Sequence, residues 1–150
     1  MVTLLDDPAP EAVAQALRAL ARDVGDPYRM DDAVLARALG RGTAAVLAEA
    51  GGAPVGVAVY VVFPSTTRGR MGAFVTDLWV AEGQRGTGLG RRLLTRVRDR
   101  VAAEWGATFL RLNYFADNPG AVAFYTRLGF RPMPGETWVT LEGAALDALV

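Results

Sequence analysis

From residue 84 the chain reads Gln84-Arg85-Gly86-Thr87-Gly88-Leu89-Gly90, and its chemistry is most legible there. Three alternate glycines leave the backbone bare, so successive N–H groups can line a concavity. A helix starting at this point adds first-turn amides with no partner inside the helix, and the positive end of its dipole. Such a nest takes an anion, and a phosphorylated ligand is the natural occupant. Arg85, with Arg91 or Arg92, adds positive charge beside it. Three readings compete: a dinucleotide fingerprint, a flexible glycine loop, and a pyrophosphate turn of the form R-x-x-G-x-G on Arg85, Gly88 and Gly90. The first fails on spacing, because G-x-G-x-x-G from Gly86 needs glycine where Arg91 stands.

Absent residue types narrow the rest. The 150 residues contain no cysteine and no histidine, and all 16 cations are arginine. Disulfides, thiolate nucleophiles, histidine triads and the usual zinc sites are therefore excluded, and no metal is expected. A Walker loop and Schiff-base chemistry each need a lysine and fall away too. Proton transfer is left to Asp, Glu, Tyr, the backbone and water. The 16 acids balance the 16 arginines, which gives no general case for nucleic acid or an acidic membrane surface as partner. No apolar run reaches membrane-spanning length and no basic n-region opens the chain, so a cytoplasmic location is expected.

The elements that must hold this turn can be read from periodicity. Half the residues are hydrophobic (51%) and 21% are charged, as in a globular domain. No repeat or low-complexity linker interrupts them, and one domain over 1–150 is expected. Val13, Leu17, Leu20 and Val24 form a helical stripe stopped by Gly25, and a short helix is predicted from Asp31 to Leu39. Thr43–Ala50 and Val55–Phe63 read as strands around a Gly51-Gly52-Ala53-Pro54 hairpin, and Phe74–Val80 as a third. The glycine turn leads into a helix with Leu89, Leu93, Leu94, Val97 and Val101 on one face. A strand over Thr108–Tyr114 follows. Asn118-Pro119 then opens a helix carrying Ala121, Phe124, Tyr125 and Leu128, closed by Gly129. Short strands are expected at Phe130 and Thr137–Leu141. An early meander followed by β-α-β order predicts an α/β fold with a mixed sheet.

Two segments at those places resemble the GNAT superfamily of acyl-CoA-dependent N-acetyltransferases. Phe74–Gly90 (FVTDLWVAEGQRGTGLG) resembles its acetyl-CoA signature. Asn118–Phe130 (NPGAVAFYTRLGF) resembles its second signature, with one helix and one strand between the two. The resemblance implies a strongly twisted sheet with antiparallel N-terminal strands, two splayed parallel central strands and about four flanking helices. It implies acetyl-CoA as co-substrate, held by backbone near Leu78, Trp79 and Val80, by the turn Arg85, Gly86, Thr87, Gly88, Leu89, Gly90 and Arg91, and by Asn118 and Tyr125. Asn118 also fits a plain helix N-cap. Tyr125 matches the family tyrosine near the cofactor sulfur and is the candidate acid for the departing thiolate. On spacing alone it also fits a half-buried aromatic.

Without cysteine, the implied reaction is direct attack of a neutral amine on the thioester. An alkylammonium with a pKa of about 10 must first lose a proton. The nearest relatives in appearance are diamine acetyltransferase-like members, which carry Glu-Asp where this chain has Thr76-Asp77. Asp77 is the candidate base, with a structural or acceptor-binding role as the alternative. Strand alternation puts Thr76 and Asp77 on opposite faces unless a bulge intervenes. The acceptor is expected to be a primary amine of a small molecule or peptide. Arg68 and Arg70 before the third strand argue against a polycation, unless Asp26, Asp31 and Asp32 line the site. Tyr28, Met30, Phe63, Met71, Phe74 and Trp79 are candidate pocket walls. Trp138 is a candidate homodimer contact. A non-catalytic acyl-CoA-binding module is the competing function.

Overall fold

Gly51 and Gly52 both take positive φ, 58° and 78°, the backbone of a two-residue hairpin turn. They join β2 (Thr43–Ala50) to β3 (Ala53–Ser65), with Ala50 opposite Ala53. β3 runs antiparallel to β4 (Arg70–Val80). β4 pairs in parallel with the four-residue β5 (Phe109–Leu112). A further strand, β1 (Val2–Asp6), pairs antiparallel with β2. The sheet order is β1-β2-β3-β4-β5. The computed structural model describes residues 1–149. It divides into two compact units, Met1–Asn113 and the remainder from Tyr114 onward.

In the first unit both faces of the sheet are covered. Helices α1 (Pro10–Val24) and α2 (Asp32–Ala38) cover one face. There Val13, Ala14, Ala16 and Leu35 pack against Ala45, Leu47, Val57, Val59 and Trp79. The opposite face carries α3 (Leu89–Trp105), whose Leu89, Leu93, Leu94, Val97 and Val101 are all buried. Gly56 lies under that helix, where a Cβ would come within 3.1 Å of Leu93. Alternation along β2 and β3 assigns Val46, Ala48, Ala58 and Tyr60 to the α3 side. Arg96 pairs with Asp6, its Nε 2.9 Å from Oδ1, and Arg100 pairs with Asp7 at 2.6 Å; both tie the β1 end to α3. The Arg96 hydrogen bond holds the Asp6 carboxyl below its ordinary pKa.

The mixed α/β architecture is as expected; four particulars differ. The strand Val2–Asp6 was not anticipated, because five residues are too few for a periodic signal and pairing with β2 makes it a strand. Val24 closes the α1 stripe in sequence but is half exposed. The parallel pair is not central: β5 is the edge of the sheet and spans only Phe109–Leu112. No strand forms at Phe130 or Thr137–Leu141 among the described residues. A strand exists only with a ladder partner. Phe130 is instead taken into the close of the helix Pro119–Arg127, and Thr137–Leu141 is largely exposed.

One glycine in the sheet is there for its lack of a side chain. Gly72 sits opposite Phe109 in the parallel pair, and a Cβ at 72 would overlap the Phe109 ring. That ring also stands edge-on to Phe63, with centroids 5.5 Å apart. Gly72→Ala is expected to destabilise the protein by about 1–3 kcal/mol, the usual cost of overpacking. Thermal unfolding checks it, and an unchanged melting temperature would show that the ring moves aside freely.

The second unit contains α4 (Pro119–Arg127) and the short α5 (Gly143–Asp147). The α4 C-terminus explains the Leu128-Gly129-Phe130 sequence. Gly129 takes φ 92°, its N–H donates to Thr126 O, and the Phe130 N–H donates to Tyr125 O at 3.0 Å. This is the Schellman closure, completed by ring contact between Phe130 and Tyr125.

Candidate active site

β4 ends at Val80, and the chain leaves it through Ala81, whose N–H donates to Val55 O at 2.9 Å. One 3-10 turn, Glu82–Gln84, redirects it. Thr87 ties back to the carbonyl of Gln84 through its hydroxyl at 2.7 Å. Gly86 and Gly88 take φ 79° and 85°, where side-chain-bearing residues are strained, and a Cβ on either would meet nothing within 4 Å. Gly88 is the N-cap of α3 and supplies no side-chain cap. The first-turn amides of Leu89, Gly90 and Arg91 have no helical acceptor by geometry. Gly86, Thr87 and Gly88 are exposed; Leu89 and Gly90 are buried, so they can offer only backbone. Open space, bare backbone and a helix N-terminus coincide, which fits the diphosphate of an acyl-CoA.

β4 itself supplies the next feature. It is paired with β5 only from Gly72 to Val75, whereas β3 stays with it as far as Val80. Among the described residues, one edge of β4 therefore has no strand partner from Thr76 to Val80. Unpaired strand edges accept extended ligands through main-chain hydrogen bonds. Leu78, Trp79 and Val80 lie on this stretch, with the Trp79 side chain buried in the α1-side core.

The bulge that the Thr76-Asp77 pair requires is present. Val59 faces Asp77 and Tyr60 faces Val75, so Thr76 is the extra residue. Its hydroxyl lies 2.7 Å from Asp77 Oδ2 and 3.3 Å from Val59 O. The two side chains thus meet instead of diverging. Asp77 is half-buried on the α1–α2 face, because its partner Val59 belongs to that core.

The α1–α2 connection contributes Tyr28. Its hydroxyl is buried and makes no hydrogen bond among the described residues. Burial raises its pKa, opposed by Arg18, whose guanidinium stacks 4.8 Å from the ring centroid. Arg18 in turn holds Asp32 at 2.6 Å, and Asp31 caps α2. Asp31, Asp32 and Asp77 all bear electrostatically on the Tyr28 hydroxyl. Asp26 is exposed.

Two arginines of the turn are committed elsewhere. Arg92 donates to Val2 O at 3.2 Å. Arg85 donates through Nε to Val80 O at 3.1 Å and through Nη2 to Asp23 at 2.6 Å. Arg91 is exposed and makes no ion pair among the described residues. Asp23 was not singled out from sequence. The one signal available was its position in the last turn of a helix, where the dipole disfavours a carboxylate.

Asn118 and Tyr125 belong to the second unit. Asn118 caps α4, its Oδ1 accepting from the Ala121 N–H at 3.0 Å. Tyr125 stacks on Tyr114, centroids 5.6 Å apart at 14°, and meets Phe124 and Phe130 edge-on. Burial pushes its pKa up to about 12, so the phenol stays protonated at neutral pH. Trp138 is 69% exposed and Val139 87%. Among the described residues no group of His, Cys, Asp or Glu is placed to hold a metal ion.

Residues 11–130 match the acetyltransferase (GNAT) family. The chain belongs to the GNAT acetyltransferases. As a member of that family it is expected to take acetyl-CoA as co-substrate, and an acyltransferase activity is implied. No curated protein matches it by sequence. Solved structures share the fold at low identity. An aminoglycoside acetyltransferase from an uncultured soil metagenomic sample superposes with TM-score 0.79 at 16% identity, over 95% of this chain and 96% of the other. A ribosomal-protein-alanine N-acetyltransferase from Brucella melitensis gives TM-score 0.73 at 22% identity, over 95% and 99%. An integron cassette protein from Vibrio cholerae gives 0.76 at 19%, over 98% and 94%.

Proposed function

We propose that this GNAT protein is an N-acetyltransferase that uses acetyl-CoA to acetylate a primary amine of a small molecule or peptide, without a covalent enzyme intermediate. The observation that carries the reading is the bare glycine turn at the α3 N-terminus, continuous with the unpaired edge of β4 and the Thr76–Asp77 bulge. The turn from Arg85 to Arg91 holds the diphosphate by backbone amides, and Leu78–Val80 offers its free edge to the pantetheine arm. The family resemblance assigns Asn118 and Tyr125 to the same cofactor. The bound thioester supplies the acetyl group.

Asp77 takes the proton that an ammonium must lose before it can attack. The Thr76 hydroxyl orients that carboxylate by donating to one oxygen, leaving the other for the acceptor. Tyr125, kept neutral by burial, donates to the departing sulfur. The buried Tyr28 hydroxyl, whose electrostatic neighbours include Asp77, offers a polar group to the acceptor on the α1–α2 side. Structural neighbours named for an aminoglycoside and for a ribosomal-protein alanine make those two acceptor types the first to try. The resemblance to diamine-type enzymes adds polyamines. The reading includes a single acetyltransferase domain, a cytoplasmic location and a homodimer in which the exposed Trp138 takes part.

Free-thiol release from acetyl-CoA, measured across aminoglycosides, alanine-terminated peptides, amino acids and polyamines, tests the proposal. Acceptor-dependent release establishes the transferase and names its acceptor class. Threonine at the family glutamate position supports the competing reading of an acyl-CoA-binding module. Tight cofactor binding with no release from any acceptor is the outcome that favours it.

A further inference from the structure

Asp23 stands next to the last residue of α1 and accepts two hydrogen bonds on one oxygen. The Trp79 indole Nε1 donates to Oδ2 at 2.9 Å, and Arg85 Nη2 donates to the same atom at 2.6 Å. Three separate elements meet there: the end of α1, the end of β4 and the start of the glycine turn. The Arg85 side chain folds back over its own loop, with Nε on the carbonyl of Val80. The chain leaves β4 at Val80 and regains a fixed point at Arg85, so this guanidinium bridges the two ends of the 3-10 turn between them.

A carboxylate at a helix C-terminus faces the negative end of the dipole, and Asp23 is offset there by donors from outside the helix. Trp79 is almost fully buried, so its indole gives Asp23 a rigid anchor. Gly86 and Gly88, immediately beyond Arg85, are free to adopt many backbone conformations. A nest binds an anion well only if its amides already point the right way, because ordering them on binding costs affinity.

We infer that Asp23 is a positioning residue that sets the anion affinity of the glycine turn, acting through Arg85 and Trp79. Arg85 on this account is a strut: its guanidinium is held by Asp23 and Val80, and the diphosphate is left to the backbone. The inference rests on the assignment of acetyl-CoA to that turn.

Calorimetric titration with acetyl-CoA, well below the melting transition, tests it without knowledge of the acceptor. Asp23→Asn keeps an acceptor for the Trp79 N–H but loses the charge facing Arg85. It is expected to weaken acetyl-CoA affinity about five- to tenfold, the size of an ordinary hydrogen bond, because solvent screens this half-exposed pair. Asp23→Glu is expected to recover part of that loss, and it serves as the readable variant if Asp23→Asn fails to fold. Arg85→Gln is expected to cost a similar factor alone and little more in the Asp23→Asn background, the non-additivity of two residues acting as one unit. A merely structural pair would lower the melting temperature and leave the affinity of the folded protein unchanged. Unchanged affinity in Asp23→Asn overturns the inference. So does tighter binding, which would mean that a released Arg85 reaches the phosphates. If the wild-type protein does not bind acetyl-CoA, the assignment of the turn fails and takes the inference with it.

Discussion

Gly88→Glu is expected to abolish detectable acetyl-CoA binding. Gly88 is the N-cap of α3 with φ 85°, and a side chain there extends into open space. Two penalties combine. Any side-chain-bearing residue is strained at this φ, at a cost of about 1 kcal/mol or somewhat more. The glutamate adds a negative charge where the diphosphate belongs. Unit charges 4 Å apart interact by about 4 kcal/mol at the effective dielectric of a protein surface. That is about a thousandfold in affinity. Gly88→Ala carries the strain without the charge and is expected to lose about tenfold or less. Titration of both variants separates the terms. Wild-type affinity in Gly88→Glu would remove the turn from the cofactor site.

Tyr125→Phe should lower turnover about a hundredfold or more, the usual contribution of a positioned acid, and leave acetyl-CoA affinity within a few-fold. The ring is clamped by Tyr114, Phe124 and Phe130, so the phenylalanine keeps the same packing and loses only the hydroxyl. Burial lifts the pKa from an ordinary 10.0 to about 12. The neutral phenol is therefore the form the fold favours. Its contribution to stability is complete below pH 10 and is lost as the pH rises through 12. The donor is thus present across the working range, and any alkaline limb below pH 10 must come from another group. Steady-state kinetics beside cofactor titration checks this. Equal turnover in the two proteins would reduce Tyr125 to a packing residue.

How much could be read in advance differs from element to element. The α3 stripe, the Gly51-Gly52 hairpin and the Asn118 cap were legible because each depends on residues close in sequence. The spacing of leucines, the φ tolerance of glycine and the reach of an asparagine side chain need no distant partner. The glycine turn was legible for the same reason. The Val2–Asp6 strand was not, since only β2 makes it one. The expected strands at Phe130 and Thr137–Leu141 fail in the opposite sense: their composition suits a strand, but among the described residues they form none.

The site divides along the same line. By itself the sequence determined the chemistry available: no thiol, imidazole or lysine amine, a backbone nest for an anion, one aspartate on the strand before it and one tyrosine on the later helix. Their surroundings come from contacts between distant elements. The bulge that turns Thr76 toward Asp77 arises from register against β3. The burial of the Tyr28 hydroxyl depends on the packing of the α1–α2 connection. The diversion of Arg85 to Asp23 joins residues 62 positions apart. Backbone preferences act over a few residues and are written locally; hydrogen bonds and ion pairs between distant elements exist only once the chain has folded.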